Sequence, residues 1–281
     1  MVKSMNIGII QGRLTPSDGV IQKFPDGKWL AELFTARRIG FTYIEWLADA
    51  SFNAENPVWT GEQLEQVREG IKSAGLVSHS LCVDHIMKRP LTIEDASEAE
   101  KRYNDLLRII SNGYAFGITH VVLPFLEGAS LKDNPKKTNL ANEKLKRLLT
   151  NLKGKNISFC VETDLNTQEH ESLLRDLPDS VGICLDTGNR TSFGFDPSEE
   201  ILYWDKRLLH VHIKDKDQAG KNVLLGTGLV DFDHVFESFR QIGYSNAFTL
   251  ETNRGENEEE SAIRHIAFLK NLITKYELSK Y

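Results

Sequence analysis

Four short stretches carry the residues best suited to chemistry: ISFCVE (157–162), VGICLD (181–186), LLHVHIKD (208–215) and NAFTLE (246–251). In each, large apolar residues alternate with small or ionisable ones, the two-residue period of a β-strand. The alternation puts Ile157, Phe159 and Val161 on one face, and Ser158, Cys160 and Glu162 on the other. It likewise separates Val181, Ile183 and Leu185 from Gly182, Cys184 and Asp186. Leu209, Val211 and Ile213 stand opposite His210, His212 and Lys214, and in the last stretch Ala247, Thr249 and Glu251 share the second face. Each second face ends in an ionisable group. Brought together, Glu162, Asp186, Glu251 and His212 are three carboxylates and one imidazole. That donor set suits one divalent metal ion of the Mn, Mg, Co or Zn kind. Like charges crowded at one point repel unless a cation sits among them. A single carboxylate at a strand end is commonly a solvated loop residue or a helix cap. Four ionisable groups in matched register on consecutive strands are not explained that way. His210 lies one layer deeper than His212 and reads as a hydrogen-bonded interior residue.

The elements that must position these groups recur along the chain. Amphipathic stretches end near a glycine or proline, and a short apolar strand follows. The helices are expected at Trp29–Ile39, Thr60–Ala74, Asp95–Phe116, Thr138–Leu152, Thr167–Leu177, Pro197–Trp204, Asp231–Ile242 and Glu259–Tyr276. Thr60 and Gln63 have capping-box spacing, and Asp231 is a plausible N-cap. A strand, NIGIIQG, opens the chain, and FTYIEW, LVSHSLCVD and ITHVVLPF precede the four stretches above. Strands separated by helices form parallel sheets. Eight such units predict a closed (β/α)8 TIM barrel, a single domain over residues 1–281, near the ~250 residues usual for that architecture. Barrel active sites lie at the C-terminal ends of the strands, where the four groups fall.

Composition narrows the function. The chain is 40% hydrophobic, 26% charged and carries a formal net charge of −6. That balance argues against a nucleic-acid or anionic-membrane partner. No apolar leader and no membrane-length apolar run is present in the sequence, so a cytoplasmic location is expected. Cys82, Cys160 and Cys184 are widely spaced, lack a C-x-x-C pair, and are expected as free, inert interior thiols. No G-x-G-x-x-G follows the first strand, and no Walker loop occurs. The oligomeric state is left open.

Further inward candidates stand near other strand ends. Asp84 is expected at the substrate. Glu45 and Glu127 read better as a structural ion pair or loop carboxylates. Lys214 is placed to hold a substrate oxygen or phosphate, or else to neutralise Asp215 or Asp186. Lys216, Lys221 and Arg254, with the backbone of Gly226, Thr227 and Gly228, could receive a phosphate. The plainer reading is a glycine turn before a capped helix. Arg13 is a further anion contact or a structural residue.

With these residues in view, the sequence resembles the xylose-isomerase-like TIM-barrel superfamily of sugar phosphate isomerases and epimerases, whose fold is shared by the apurinic-site endonucleases. The resemblance runs from IGIIQGRLTP to TLETNRG and beyond. It implies one metal held by Glu162 in CVETD, Asp186 in CLDTGN, His212 in HVHIKD and Glu251 in TLETN. It further implies proton transfer next to a carbonyl, with Glu162 and Glu251 as the acid–base pair and a small sugar or sugar phosphate as substrate. Hydride-shift isomerisation, and dehydration of a cyclitol or keto-sugar, are open to the same ligands. The sequence departs from the pattern at Asn189, where many relatives carry histidine. Asparagine there is expected to hydrogen-bond a substrate hydroxyl. The strand-four segment LPFLEG lacks the extra histidines that endonucleases use for a zinc cluster, which disfavours a phosphoester hydrolase.

Overall fold

The computed structural model describes residues 5–16 and 19–278. The ends of the expected 1–281 span, and residues 17–18, lie outside them. Eight parallel strands close into a barrel in chain order. They are β1 (Ile7–Ile10), β2 (Tyr43–Leu47), β3 (Ser80–Cys82), β4 (His120–Phe125), β5 (Ser158–Thr163), β6 (Val181–Asp186), β7 (Leu208–Ile213) and β8 (Phe248–Leu250). β8 returns to β1 with Gly8 opposite Thr249. No helix among the described residues is long and apolar enough to cross a membrane.

The strand alternation divides the apolar residues into two clusters. Phe159, Val161, Ile183, Leu185, Val211, Ile213, Phe248 and Leu250 pack outward with the helices. Ile10, Leu47, Cys82, Val122, Cys160 and Cys184, one from each of β1 to β6, fill the barrel interior. All three cysteines are free and buried. Two glycines are required by close approach. A Cβ on Gly8 would stand 2.2 Å from the Tyr43 ring, which crosses the interior to meet Thr249 Oγ1 at 2.6 Å. A Cβ on Gly182 would stand 2.8 Å from Leu209 Cγ.

Leu209 corrects the simple alternation. Ile183 pairs with Leu208 but Cys184 pairs with His210, so Leu209 is a β-bulge, an extra residue between paired positions. Its side chain packs against the interior cluster rather than the helix layer, in space that Gly182 leaves open. The bulge restores the register beyond it, and His210 and His212 keep the interior face.

The helices follow their caps more closely than their apolar period. Asp95, Asn134, Asn166, Asp196, Asp231 and Asn257 each accept a backbone N–H at a helix start. Pro135 behind Asn134 begins its helix three residues before Thr138. The helix from Thr167 ends at Leu173, short of Leu177. The capping box at Thr60 does not form. Asn56 and Pro57 start a separate turn, Pro57–Thr60, which Gly61 closes, and Gln63 adopts a left-handed conformation before Leu64–Ala74. Short helices at His85–Lys88 and Thr187–Ser192 sit in the loops after β3 and β6.

A histidine stack lies lower in the barrel. The rings of His79 and His120 are 4.5 Å apart, and His79 is 5.8 Å from His210. Burial, then the neighbouring imidazoles, push His79 down to about 3 and His120 down to about 4. Both rings should therefore stay neutral at pH 5, where a free imidazole is mostly charged. The unfolded chain takes up these two protons below about pH 6.5 and the folded chain does not. Their contribution to stability is complete above that pH and erodes as the pH falls towards 4. Ring NMR checks this: titration of either imidazole between pH 7 and 5.5 would contradict it.

Candidate active site

The inward register brings Glu162, Asp186, His212 and Glu251 to one place. One ligand atom from each lies within 4.8 Å of the others, and all four residues are buried. Glu162 and His212 lie within β5 and β7, Asp186 ends β6, and Glu251 directly follows β8. Glu162 and Glu251 line a cavity of about 1000 Å3 at the C-terminal mouth, together with Asp84, Asn189 and Lys214, and Asp186 and His212 lie beneath them.

Each side chain is held by others. Glu162 Oε1 accepts from Asn189 Nδ2 at 2.7 Å. Asp186 Oδ1 accepts from the Asn189 backbone N–H at 2.7 Å, so Asp186 caps the short helix Thr187–Ser192. Lys214 Nζ lies 2.9 Å from Asp186 Oδ2 and 2.6 Å from Glu251 Oε1. His212 presents Nε2 to Glu45 Oε1 at 2.8 Å. Its Nδ1 faces Glu251 Oε2 at 2.8 Å and Glu162 Oε2 at 3.6 Å. Glu45 Oε2 meets His210 Nε2 at 2.7 Å, so Glu45 is a buried structural carboxylate and His210 the hydrogen-bonded interior residue expected.

Two atoms test whether a cation fits. His212 Nδ1 and Asp186 Oδ2 are buried and, beside their ionic contacts with Glu251 and Lys214, lack a hydrogen bond of acceptable geometry. Buried polar atoms normally find partners. Here both belong to the same four-residue group, with carboxylate oxygens around them. An imidazole lone pair and carboxylate oxygens at this spacing fit a divalent cation.

The electrostatics separate the acids. Burial works to raise Glu251, but Lys214, His212 and Arg13 overcome it and hold the carboxyl below its ordinary range. Burial, then Glu251, push the Asp84 carboxyl up to about 7. Asp186 is also raised by burial, against the pull of Lys214. Burial works to raise Glu45, and its two histidines hold it well below the usual range.

Several expected anion contacts are already occupied. Arg254 donates from Nη1 to the Thr15 carbonyl at 2.6 Å and from Nη2 to the Ile21 carbonyl at 3.1 Å. Its guanidinium ties down the loop after β1, although the residue lines the cavity rim. Asp215 is fully buried and accepts from the backbone N–H groups of Lys216, Gly226, Gly228 and Val230. The glycine N–H groups therefore face a carboxylate of the chain itself, and the plainer reading of that turn holds. Lys214 neutralises Asp186 and Glu251, not Asp215. Arg13 is buried, 3.9 Å from Glu251 Oε1, and does not line the cavity. Glu127 is an exposed loop carboxylate at the rim. Lys216 and Lys221 also line the cavity.

Two structural groups escaped the pattern. Glu32 accepts from the N–H groups of Gly12 and Leu14 and shapes the loop carrying Arg13. Arg190 is buried against Glu200 and the carbonyls of Thr163 and Leu165. Neither carries a local signal, because the partners come from other elements.

Removing Asp215 measures how far its loop depends on it. Asp215→Ala leaves four N–H groups without their acceptor and should cost about 3 kcal/mol or more. Thermal or urea unfolding reads the loss, and a change below about 0.5 kcal/mol would contradict the assigned role.

A closed parallel barrel with three carboxylates and one imidazole converging at its C-terminal mouth defines a class of barrel with a cation-fitting site. The chain belongs to the xylose isomerase-like TIM barrel family, whose model matches residues 33–272. It is similar to the L-ribulose-5-phosphate 3-epimerase UlaE of Escherichia coli (strain SMS-3-5 / SECEC), 23% identical over 248 residues, covering 83% of this chain and 86% of that protein. Among solved structures, an L-ribulose 3-epimerase superposes with a TM-score of 0.79 at 17% identity, covering 97% of this chain and 96% of the other. The IolI protein with a bound zinc atom superposes with a TM-score of 0.73 at 16% identity, covering 97% and 99%.

Proposed function

We propose that this protein is a metal-dependent epimerase or isomerase of a sugar or sugar phosphate, with Glu162 and Glu251 moving the proton next to a carbonyl. The observation that carries this is the four-residue group itself, three buried carboxylates and one buried imidazole whose ligand atoms lie within 4.8 Å of one another. The family membership and the epimerase names of the relatives support it. Glu162, Asp186, His212 and Glu251 would hold the cation. When bound, it supplies the positive charge that acidifies a C–H beside a carbonyl and stabilises charge developing on the substrate oxygens.

The chain's own groups do the rest. Glu162 on β5 and Glu251 after β8 approach the cavity from separate sides, with β6 and β7 between them. One removes the proton from one face of the substrate carbon and the other returns a proton to the opposite face, inverting the centre. Asn189 orients Glu162, and Lys214 orients Glu251. Asp84, carrying its proton up to about pH 7, donates a hydrogen bond to a substrate oxygen. Lys216 and Lys221 at the rim are the cations available to a phosphate at the far end of a sugar phosphate.

The test pairs elemental analysis of purified protein with a screen of ketopentoses, ketohexoses and their phosphates for epimer formation. A stoichiometric divalent metal and a chelator-sensitive epimer are expected. Turnover untouched by chelators sinks the metal mechanism, and loss of water from a substrate marks the dehydratase alternative.

A further inference from the structure

Glu45 is a carboxylate with no exposed surface, on the second strand of the barrel, three strands away from β7 around the wall. The alternation of β2 turns it to the interior. It is 167 residues from His212 in the chain, and both of its oxygens end on imidazole nitrogens of β7. Burying a carboxylate is costly unless it is paired and hydrogen-bonded. An apolar side chain would fill the space without that cost.

What Glu45 holds explains its presence. An imidazole offers two nitrogens, and the partner of one decides which is left to ligate. Glu45 Oε1 engages His212 Nε2, so that nitrogen carries the proton and Nδ1 turns its lone pair towards Glu162, Asp186 and Glu251. The carboxylate is itself pinned. Its other oxygen meets His210 Nε2 at 2.7 Å, and Thr249 Oγ1, tied to the Tyr43 hydroxyl at 2.6 Å, lies 3.0 Å from the same nitrogen. The His210 and His212 rings pack edge to face, centroids 5.2 Å apart and planes at 84°, with both Nε2 atoms on Glu45.

We infer that Glu45 is a positioning residue: clamped by His210, it fixes the His212 ring and tautomer so that Nδ1 is the nitrogen presented to a divalent cation. The inference rests on the reading of Glu162, Asp186, His212 and Glu251 as the cation's ligands. It assigns Glu45 and His210 roles one step removed from substrate and ion.

The test measures Mn2+ binding by calorimetry, and the absorption spectrum of the Co2+-loaded protein, for wild type, Glu45→Gln and His212→Ala. Glu45→Gln keeps the side-chain volume and one acceptor but removes the carboxylate that engages both imidazoles. It should weaken Mn2+ binding 10- to 100-fold and alter the Co2+ spectrum, while KM at saturating metal stays within about threefold of wild type. Wild-type affinity and an unchanged spectrum in Glu45→Gln, with binding lost in His212→Ala, overturn the positioning role alone. Equal binding by wild type and His212→Ala overturns the ligand set itself. If Glu45→Gln does not fold, nitrogen NMR of the zinc-loaded wild-type protein decides the matter. A proton on His212 Nε2 with Nδ1 bound to metal is expected, and the opposite arrangement overturns the inference.

Discussion

His212→Ala should abolish turnover and weaken divalent-cation binding by more than about 100-fold, a larger loss than a supporting residue gives. The ring supplies the one nitrogen in a group otherwise made of carboxylates. Removing it leaves three acids and Lys214 at the mouth, a hard, oxygen-only site with no fourth ligand. The variant should still fold, but with some loss of stability. His212 is fully buried and donates to Glu45, so its removal leaves Glu45 with His210 and the more distant Thr249 hydroxyl and should cost about 1–3 kcal/mol. Calorimetric titration with Mn2+ reads the binding, and a circular-dichroism melt reads the fold. Wild-type affinity in a folded variant would remove His212 from the ligand set.

Glu162→Gln and Glu251→Gln should each lower epimerisation by roughly 10²- to 10⁴-fold, the usual contribution of a positioned acid or base. Glutamine keeps the size and one oxygen ligand but cannot accept the proton. The two variants should fail differently. Each retains the group serving one face, so one of them should still exchange a substrate hydrogen with solvent while making no epimer. That variant names the group it has lost as the one that completes inversion. Glu162→Gln keeps the Glu251–Lys214 pair. Glu251→Gln removes the carboxylate that Lys214 Nζ approaches at 2.6 Å, leaving Lys214 with Asp186. Near-complete epimerisation by either variant would remove that glutamate from the mechanism.

The register of the last four strands made most of this site readable in advance. Helices covering the outside require the large residues of ISFCVE, VGICLD, LLHVHIKD and NAFTLE to face outward, and that fixes Glu162, Asp186, His212 and Glu251 inward. The bulge at Leu209 went unseen because nothing in LLHVHIKD itself demands it. It depends on Gly182 in the neighbouring strand. Helix starts were legible at Asp95 and Asp231, where an aspartate caps. They were missed at Thr60, where a turn intervenes, and at Thr138, where Asn134 and Pro135 begin the helix earlier. The allocation of charges was the least legible part. Arg254 reads as an anion contact until barrel closure brings it to the carbonyl of Thr15, 239 residues away. Asp215 reads as a partner for Lys214 until the loop folds its own N–H groups onto it.

If carboxylates of this chain move a proton at the carbon beside a substrate carbonyl, wild-type turnover in deuterium oxide, with the substrate found in the screen and the label located by NMR, places deuterium at the inverted carbon of the product and at no other carbon. A product without deuterium, its substrate hydrogen carried intact from that carbon to the neighbouring one, would contradict that proton transfer and assign the site to hydride shift.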